Sequence, residues 1–413
     1  MGGTPRKERA IGVDQRHAHA AAAVAARLAC PSSPSGRGAH PQSLGKGAVG
    51  VALLHIERAA TGLGGREVAH TWLAAAADGD VSAGAQATLF FGAPALAFAL
   101  HAAADRPGRY ERALEALDIR VAAITRRRLD QAHARIDRGD LPALAEFDLI
   151  NGLTGLGAHL LRRDPHGDLI RQVLAYLVRL TEPLGAEDLP GWWTDLAPTG
   201  RRATDLPGGH GNFGMAHGIS GPLALLSLAM RHGIVAESQP EAIRRICSWL
   251  DAWRQDHQTG PWWPETISLD ETRLGRPKQT RPMRPSWCYG TPGLARAQQL
   301  AGQAIADTDC QRKAEEALIG CLTDPEQLRR ITDSSLCHGS AGLFQTAWHI
   351  AADAHASDLT AHLPALAERL LTPEPPGAAI GLLEGSTGLA LALCTAAADE
   401  PPASRWDTCL LLK

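Results

Sequence analysis

Three residues in the C-terminal half have the types and spacing to hold a soft metal ion. Cys288 and Cys337 each stand two residues before a glycine, Gly290 and Gly339, and His338 directly follows Cys337. Two thiolates and one imidazole make a good donor set for zinc. Three protein ligands leave the fourth tetrahedral position open, as in catalytic rather than structural zinc sites. Adjacent ligands cannot both face one way from a regular helix, so Cys337 and His338 belong in an irregular loop. A zinc ion already holding two thiolates has reduced Lewis acidity and suits a third thiol, which it keeps ionised although a free cysteine titrates near ~8.5. That points to thiol alkylation or addition more than to hydrolysis. His217, immediately before Gly218, suits protonation or deprotonation of a substrate. Asp148, four residues before Gly152, could orient or charge it, or serve as a helix N-cap. Arg284 and Tyr289 flank Cys288 and could steady an enolate-like oxyanion. Arg284 reads equally as a solvated loop charge.

The elements that must position these residues announce themselves as a repeat. A Gly-x-x-Gly followed by an Ala/Leu run starts at Gly47, Gly152, Gly218, Gly290, Gly339 and Gly385. A degenerate copy at Gly92 has Ala95 in place of the second glycine, and the seven first glycines are separated by 45, 60, 66, 72, 49 and 46 residues. The shorter intervals hold two helices of roughly 15 residues with turns. The stretches between copies are amphipathic and more charged, as over Arg109–Arg128, Leu169–Leu180 and Pro240–Trp253. Each repeat therefore reads as an amphipathic outer helix, a loop and an inner helix that is apolar all round and must be buried on every side. Seven such pairs closing on themselves make an all-α, α/α toroid over residues 1–413, whereas an open solenoid would not bury its last repeat against its first. In a ring, equivalent repeat positions converge at one end of a central cavity, which brings Cys288, Cys337, His338 and His217 together. The paired glycines let the chain turn into each inner helix and let neighbouring helix starts approach closely.

Two long intervals depart from helical periodicity. Residues 187–215 and 257–286 carry the Trp192–Trp193 and Trp262–Trp263 pairs and lead into inner-helix starts. They read as loop excursions near the site, either as a binding surface or as aromatic plugs at the ring's end. Residues 1–41, polar and partly rich in Gly, Ser and Pro, read as a partly disordered lead-in.

Composition excludes several classes. Hydrophobic residues make up 45% of the 413 and aromatics only 5%, a mix suited to close helix packing rather than a β-sandwich. The net charge of −3 gives no broad basic surface and argues against nucleic acid as a partner. Eight cysteines in 413 residues are too sparse for a disulfide scaffold, so a reduced cytoplasmic protein is expected and the cysteines outside the trio read as small buried hydrophobes. The N-terminus lacks the apolar core of a secretory signal. Ala87–Ala104, interrupted by Gly92, Pro94 and His101, reads as a buried helix rather than a membrane span.

With these residues in place, a family resemblance emerges. SWCYGTPG (286–293), SLCHGSAG (335–342), GMAHGISGPLALL (214–226) and FDLINGLTGLG (147–157) resemble the signature motifs of the lanthionine synthetase C family, the LanC-type lanthipeptide cyclases. The match runs from about Ser43 to Ala398 and includes all seven repeats. The resemblance implies a seven-fold α/α toroid, Zn2+ on Cys288, Cys337 and His338, and an active site with His217, Asp148, Arg284 and Tyr289. The implied reaction is Michael-type addition of a precursor-peptide cysteine thiol to dehydroalanine or dehydrobutyrine, giving a (methyl)lanthionine ring. Implied partners are the dehydrated precursor peptide, a separate lanthipeptide dehydratase and a transporter complex at the membrane, with peripheral membrane association of a cytoplasmic protein. Alternatives are a LanC-like protein that adds glutathione or another free thiol, and a non-catalytic peptide-binding toroid. A toroidal glycosidase would want a carboxylate pair, and Asp148 has no obvious partner of that kind. The chain departs from the pattern at Ala95 and in a second His–Gly motif, HGNFG at His210.

Overall fold

A computed structural model describes residues 15–31, 40–184, 189–354 and 358–413. In chain order the helices begin with α1 (Gln15–Arg27), α2 (Ala48–Ala60), α3 (Arg66–Ala76), α4 (Ala93–Ala103), α5 (Glu111–Asp137) and α6 (Leu144–Phe147). They continue with α7 (Leu153–Arg163), α8 (Asp168–Leu180), α9 (Ser220–Arg231), α10 (Gln239–Ala252), α11 (Leu269–Leu274) and α12 (Thr291–Ala304). The last are α13 (Thr308–Thr323), α14 (Pro325–Arg329), α15 (Ser340–Asp353), α16 (Asp358–Arg369) and α17 (Ser386–Ala398).

Each Ala/Leu run becomes an inner helix. α2, α4, α7, α9, α12, α15 and α17 pack in succession, and α17 closes on α2. The fold is an all-α toroid. The outer helices differ from the expected order. Each packs on the inner helix that precedes it: α3 on α2, α5 on α4, α8 on α7, α10 on α9, α13 on α12 and α16 on α15. That leaves α17 without a following partner, and α1 packs against it. Within the expected lead-in over 1–41, residues 15–27 form a structural member of the ring, with Ala21, Val24 and Ala25 buried, while 1–14 and 32–39 lie outside the described residues. The apolar Ala87–Ala104 stretch is helical only from Ala93, because Gly92 sits at φ +75° and Pro94 takes an early helical position. No helix among the described residues is long and apolar enough to cross a membrane.

The second glycine of each repeat has a definite steric duty. A Cβ at Gly50, Gly155, Gly293, Gly342 or Gly388 would lie 1.9–2.2 Å from the carbonyl oxygen six residues earlier, where the repeat's own loop folds back over the helix start. These folded loops join into a belt. In six of the seven repeats the position two before the first glycine offers a carbonyl to the preceding repeat around the ring. Leu44 N–H donates to Phe90 O (3.0 Å), Leu149 to Ala216 (3.2 Å), Met215 to Cys288 (2.8 Å), Cys288 to Cys337 (3.2 Å), Cys337 to Leu383 (2.9 Å) and Leu383 to Gly45 (3.0 Å). All six bonds run in one sense around the ring. The junction from the second repeat to the third has no such bond among the described residues. There Arg128, on α5, donates to the carbonyls of Ala85 (2.8 Å) and Ala87 (3.0 Å) in one loop and to Asn151 in the next.

The chain's last described residues fill the ring's middle. Glu57 on α2 accepts from the backbone N–H groups of Ala403 (3.0 Å) and Ser404 (2.8 Å). Asp407 pairs with His349 on α15 (2.5 Å), and Trp287 Nε1–H donates to Leu410 O (3.1 Å). Arg296 on α12 donates to Leu412 O at 2.6 and 2.9 Å. These contacts carry the tail from the far ends of the inner helices up to the residue beside Cys288. The two excursions also meet: β1 (His210–Asn212) pairs antiparallel with β2 (Thr266–Ser268), Gly211 opposite Ile267. All four tryptophans of the pairs are buried, so they plug rather than line a surface.

Candidate functional site

The loops before the inner helices share one local device. Four residues before the first glycine, Ser43, Ser286 and Ser335 accept with their hydroxyls from the backbone N–H three residues on, in Lys46 (3.0 Å), Tyr289 (3.3 Å) and His338 (3.2 Å). These Ser-turns shape the Cys288 and Cys337–His338 loops identically. The belt then sets the two loops side by side. One ligand atom from each of Cys288, Cys337 and His338 lies within 4.8 Å of the others. A tetrahedral zinc ion, ~2.3 Å from sulfur and ~2.0–2.1 Å from nitrogen, places ligand atoms roughly 3.3–3.8 Å apart, so the trio fits it without rebuilding either loop. Cys288 is buried, and Cys337 and His338 are half-buried. The thiol pair shares its proton unequally. Cys288 is brought down to about 5, first by the hydrogen bond from Cys337 and then by His338 and Ser286 against burial. Cys337 is driven up by the same bond, and His338 is raised by its hydrogen bond to Cys288. A site that already stabilises a thiolate beside a cation is primed for a divalent ion.

In the third repeat the turn-forming position is Asp148 rather than serine. Its Oδ1 accepts from the N–H groups of Asn151 (2.5 Å) and Gly152 (3.0 Å), the role serine plays elsewhere. The carboxylate has a second oxygen, and Oδ2 accepts from Nδ1–H of His217 at 2.6 Å. Asp148 is fully buried, and it both holds the turn before α7 and orients the histidine; the N-cap of α7 is Gly152, so Asp148 is not the helix cap the sequence offered as an alternative. Holding the proton on Nδ1 leaves Nε2 of His217 free for chemistry. Tyr289, adjacent to Cys288, places its ring 6.3 Å from that of His217. Its hydroxyl accepts from Asn212 Nδ2–H (3.2 Å), which leaves its own proton to donate, and burial holds the phenol above its ordinary pKa. Arg284 lies 3.9 Å from Asp333, whose same oxygen is 3.5 Å from His338 Nε2.

All seven sequence-predicted site residues therefore occupy the loop end of the ring. His210 does not join them: it is buried in β1, exchanging backbone hydrogen bonds with Thr194. Reading the sequence missed Asn212, Asp333, Arg128 and Glu265. Glu265 is raised above the ordinary carboxylate range, first by burial and then by the Cys288 charge. Among the other cysteines Cys30 is exposed, contrary to the buried expectation. Beside His338 runs a groove of about 740 Å³, lined in part by Asp333, Ser335, Glu374 and Glu384.

Residues 38–411 match the family described as lanthionine synthetase C-like protein. The chain belongs to the lanthionine synthetase C-like family. It is 24% identical over 203 residues to the nisin biosynthesis protein NisC of Lactococcus lactis subsp. lactis, a stretch that is 48% of either chain. The chain thus matches this curated relative over about half its length. A solved structure named nisin cyclase superposes with a TM-score of 0.76 at 20% identity, covering 96% of this chain and 97% of that one. At that identity the likeness speaks for the fold. A lanthionine synthetase C-like chain of this fold carries its donor cluster and its His–Asp pair on one rim, in the loops that open the inner helices.

Proposed function

We propose that this protein is a zinc-dependent peptide cyclase that adds a cysteine thiol of a dehydrated precursor peptide to a dehydroalanine or dehydrobutyrine of the same peptide. The observation that carries the reading is the convergence of Cys288, Cys337 and His338 within 4.8 Å, in loops adjoining Tyr289 and the His217–Asp148 pair. Family membership and the likeness to the nisin biosynthesis protein support a peptide substrate.

Cys288, Cys337 and His338 would hold the zinc ion. When bound, zinc supplies the charge that keeps a substrate-derived thiol, the fourth ligand, ionised yet nucleophilic. A new S–C bond forms at the alkene β-carbon as the C=C π pair moves toward the carbonyl. Tyr289 and Arg284 are disposed to stabilise the resulting oxyanion by donating to it. His217 delivers a proton from Nε2 to the α-carbon, with Asp148 stabilising the imidazolium through Nδ1. The thiol proton lost and the α-proton gained balance, so no redox partner is required. A dehydratase must supply the alkene, which makes that enzyme class the expected partner, in the cytoplasm where peptide thiols stay reduced.

The test is incubation with a dehydrated precursor, with and without glutathione. Mass spectrometry after thiol alkylation then counts free cysteines and adducts. Ring formation consumes peptide thiols without added mass. Glutathione adducts with every peptide thiol still free would replace cyclisation with intermolecular thiol addition.

A further inference from the structure

The stretch preceding Cys288 is predominantly cationic. Between Leu269 and Ser286 it carries Arg273, Arg276, Lys278, Arg281 and Arg284 against Asp270 and Glu271, in a protein of net charge −3. The side chain of Glu271 is already engaged, accepting from Ser268 Oγ (2.5 Å), Ser268 N (2.8 Å) and Lys278 N (2.5 Å) in a capping box that starts α11. Arg276, Lys278 and Arg281 are exposed and form no ion pair among the described residues. Two apolar side chains are interleaved with them, Leu274 at 61% and Met283 at 41% exposure.

The strip is held in place. Gly275 ends α11 in the left-handed conformation, Gln279 accepts from Glu265 N (3.1 Å) and donates to Arg281 O (2.9 Å), and Arg330 donates to Pro282 O. Fixed cations cost less ordering on binding than mobile ones. The strip's last cation, Arg284, reaches the Asp333 that faces His338.

We propose that Arg276, Lys278 and Arg281, with Leu274 and Met283, form a docking strip for an acidic, apolar-spaced segment of the substrate peptide that flanks its reacting residues. This rests on the peptide-cyclase reading and adds a recognition element to it. Arg281 is seven residues from Cys288. An extended chain covers at most ~25 Å over that length, so about eight extended substrate residues suffice to join the strip to the reacting cysteine. A peptide fits better than a nucleic acid or a membrane. The strip is short, it is interrupted by apolar side chains, and it leads into the site.

Fluorescence anisotropy with a labelled twelve-residue peptide of alternating Glu and Leu or Ser tests this without turnover. Binding should weaken as salt rises. It should fall roughly tenfold in the Arg276→Ser/Lys278→Ser/Arg281→Ser variant, as expected for three exposed ion pairs. Arg276→Lys/Arg281→Lys should retain it, and a Gln-for-Glu peptide should lose it. Equal affinity in wild type and triple variant overturns the proposal, as does stronger competition by phosphatidylglycerol vesicles or duplex DNA at matched charge. A wild type that binds the acidic peptide selectively but forms no thioether would keep the strip and remove the cyclase reading. Ring formation by the triple variant with an unchanged KM for an acid-flanked precursor would do the reverse.

Discussion

Replacing Asp148 by Asn separates the two jobs its oxygens perform. The amide keeps one carbonyl oxygen for the N–H groups of Asn151 and Gly152, now 2.5 and 3.0 Å from Oδ1. Where Oδ2 accepts from His217 at 2.6 Å, the variant presents an NH2 donor. His217 must then accept at Nδ1 and carry its single proton on Nε2, and the imidazolium loses the carboxylate that stabilises it. Because the turn bonds survive, stability should fall by only about 1 kcal/mol. General acid–base assistance is worth ~10²–10⁴ in rate, so ring formation should slow by that factor, roughly 3–5 kcal/mol of barrier. Asp148→Ala, in contrast, strips the buried turn of its acceptor and should cost about 2–4 kcal/mol of stability, from two orphaned backbone donors. Single-turnover cyclisation followed by alkylation mass spectrometry measures the first effect, and denaturant unfolding at matched zinc content measures the second. Cyclisation by Asp148→Asn within threefold of wild type would refute the proton-transfer role. Equal destabilisation by Asn and Ala would refute the division of labour between the oxygens.

Cys288→Ala should lower bound zinc from about one equivalent to a small fraction, read by metal analysis after dialysis; full retention would break the ligand set. Gly293→Ala puts a Cβ 1.9 Å from Trp287 O and should destabilise by at least about 1–3 kcal/mol, with a lower melting temperature and weaker metal retention. Arg128→Met removes the charged donors bridging the second and third repeat loops and should cost about 1.5–3 kcal/mol, measured by denaturant titration. His159, buried with neither ring nitrogen hydrogen-bonded, is brought down to about 3 chiefly by burial, so the unfolded chain protonates first as pH falls below ~6.5. Stability should drop by about 1.4 kcal/mol per pH unit from this group between ~6.5 and that value, and His159→Phe should remove that slope from unfolding curves at pH 7 and 5.

The ring was legible because its signal repeats. A Gly-x-x-Gly seven times over, once with Ala95, fixes both the number of inner helices and the register in which Cys288 and Cys337 become equivalent. The outer helices were legible as amphipathic stretches but not in their pairing. A helix of amphipathic charge pattern fits the inner helix before it as well as the one after it, and only α1 packing on α17 decides. Asp148 had a readable signature: it stands where the matching repeats carry Ser43, Ser286 and Ser335, and a carboxylate there has an oxygen to spare. Arg128 and Asn212 had none, because their partners are a backbone carbonyl and a phenol far along the chain. The tail from Ser404 to Leu412, Arg405 apart, is buried in the ring, which no local pattern announces.

The belt explains why the donor cluster sits ready for a metal ion. Cys288 donates its backbone N–H to Cys337 O and gives its own carbonyl to Met215, while Cys337 donates to Leu383, which in turn donates to Gly45. The spacing of the two thiols is thereby set by main-chain bonds that every repeat makes, not by the ion. In small zinc modules, metal binding supplies the folding free energy; here the folded ring supplies the site. The consequence is directional. Breaking the belt anywhere should loosen the cluster, whereas removing a ligand should leave the ring intact. The junction most exposed to this effect is the one without a belt bond, where Arg128 substitutes a side chain for the missing main-chain link beside the loop of Asp148. That loop delivers Leu149 N–H to Ala216 O, one residue from His217. The junction without a main-chain bond and the His217–Asp148 pair are therefore neighbours. Under the proposed function, substitutions at Arg128 should disturb the His217–Asp148 pair before they disturb the Cys288–Cys337–His338 cluster.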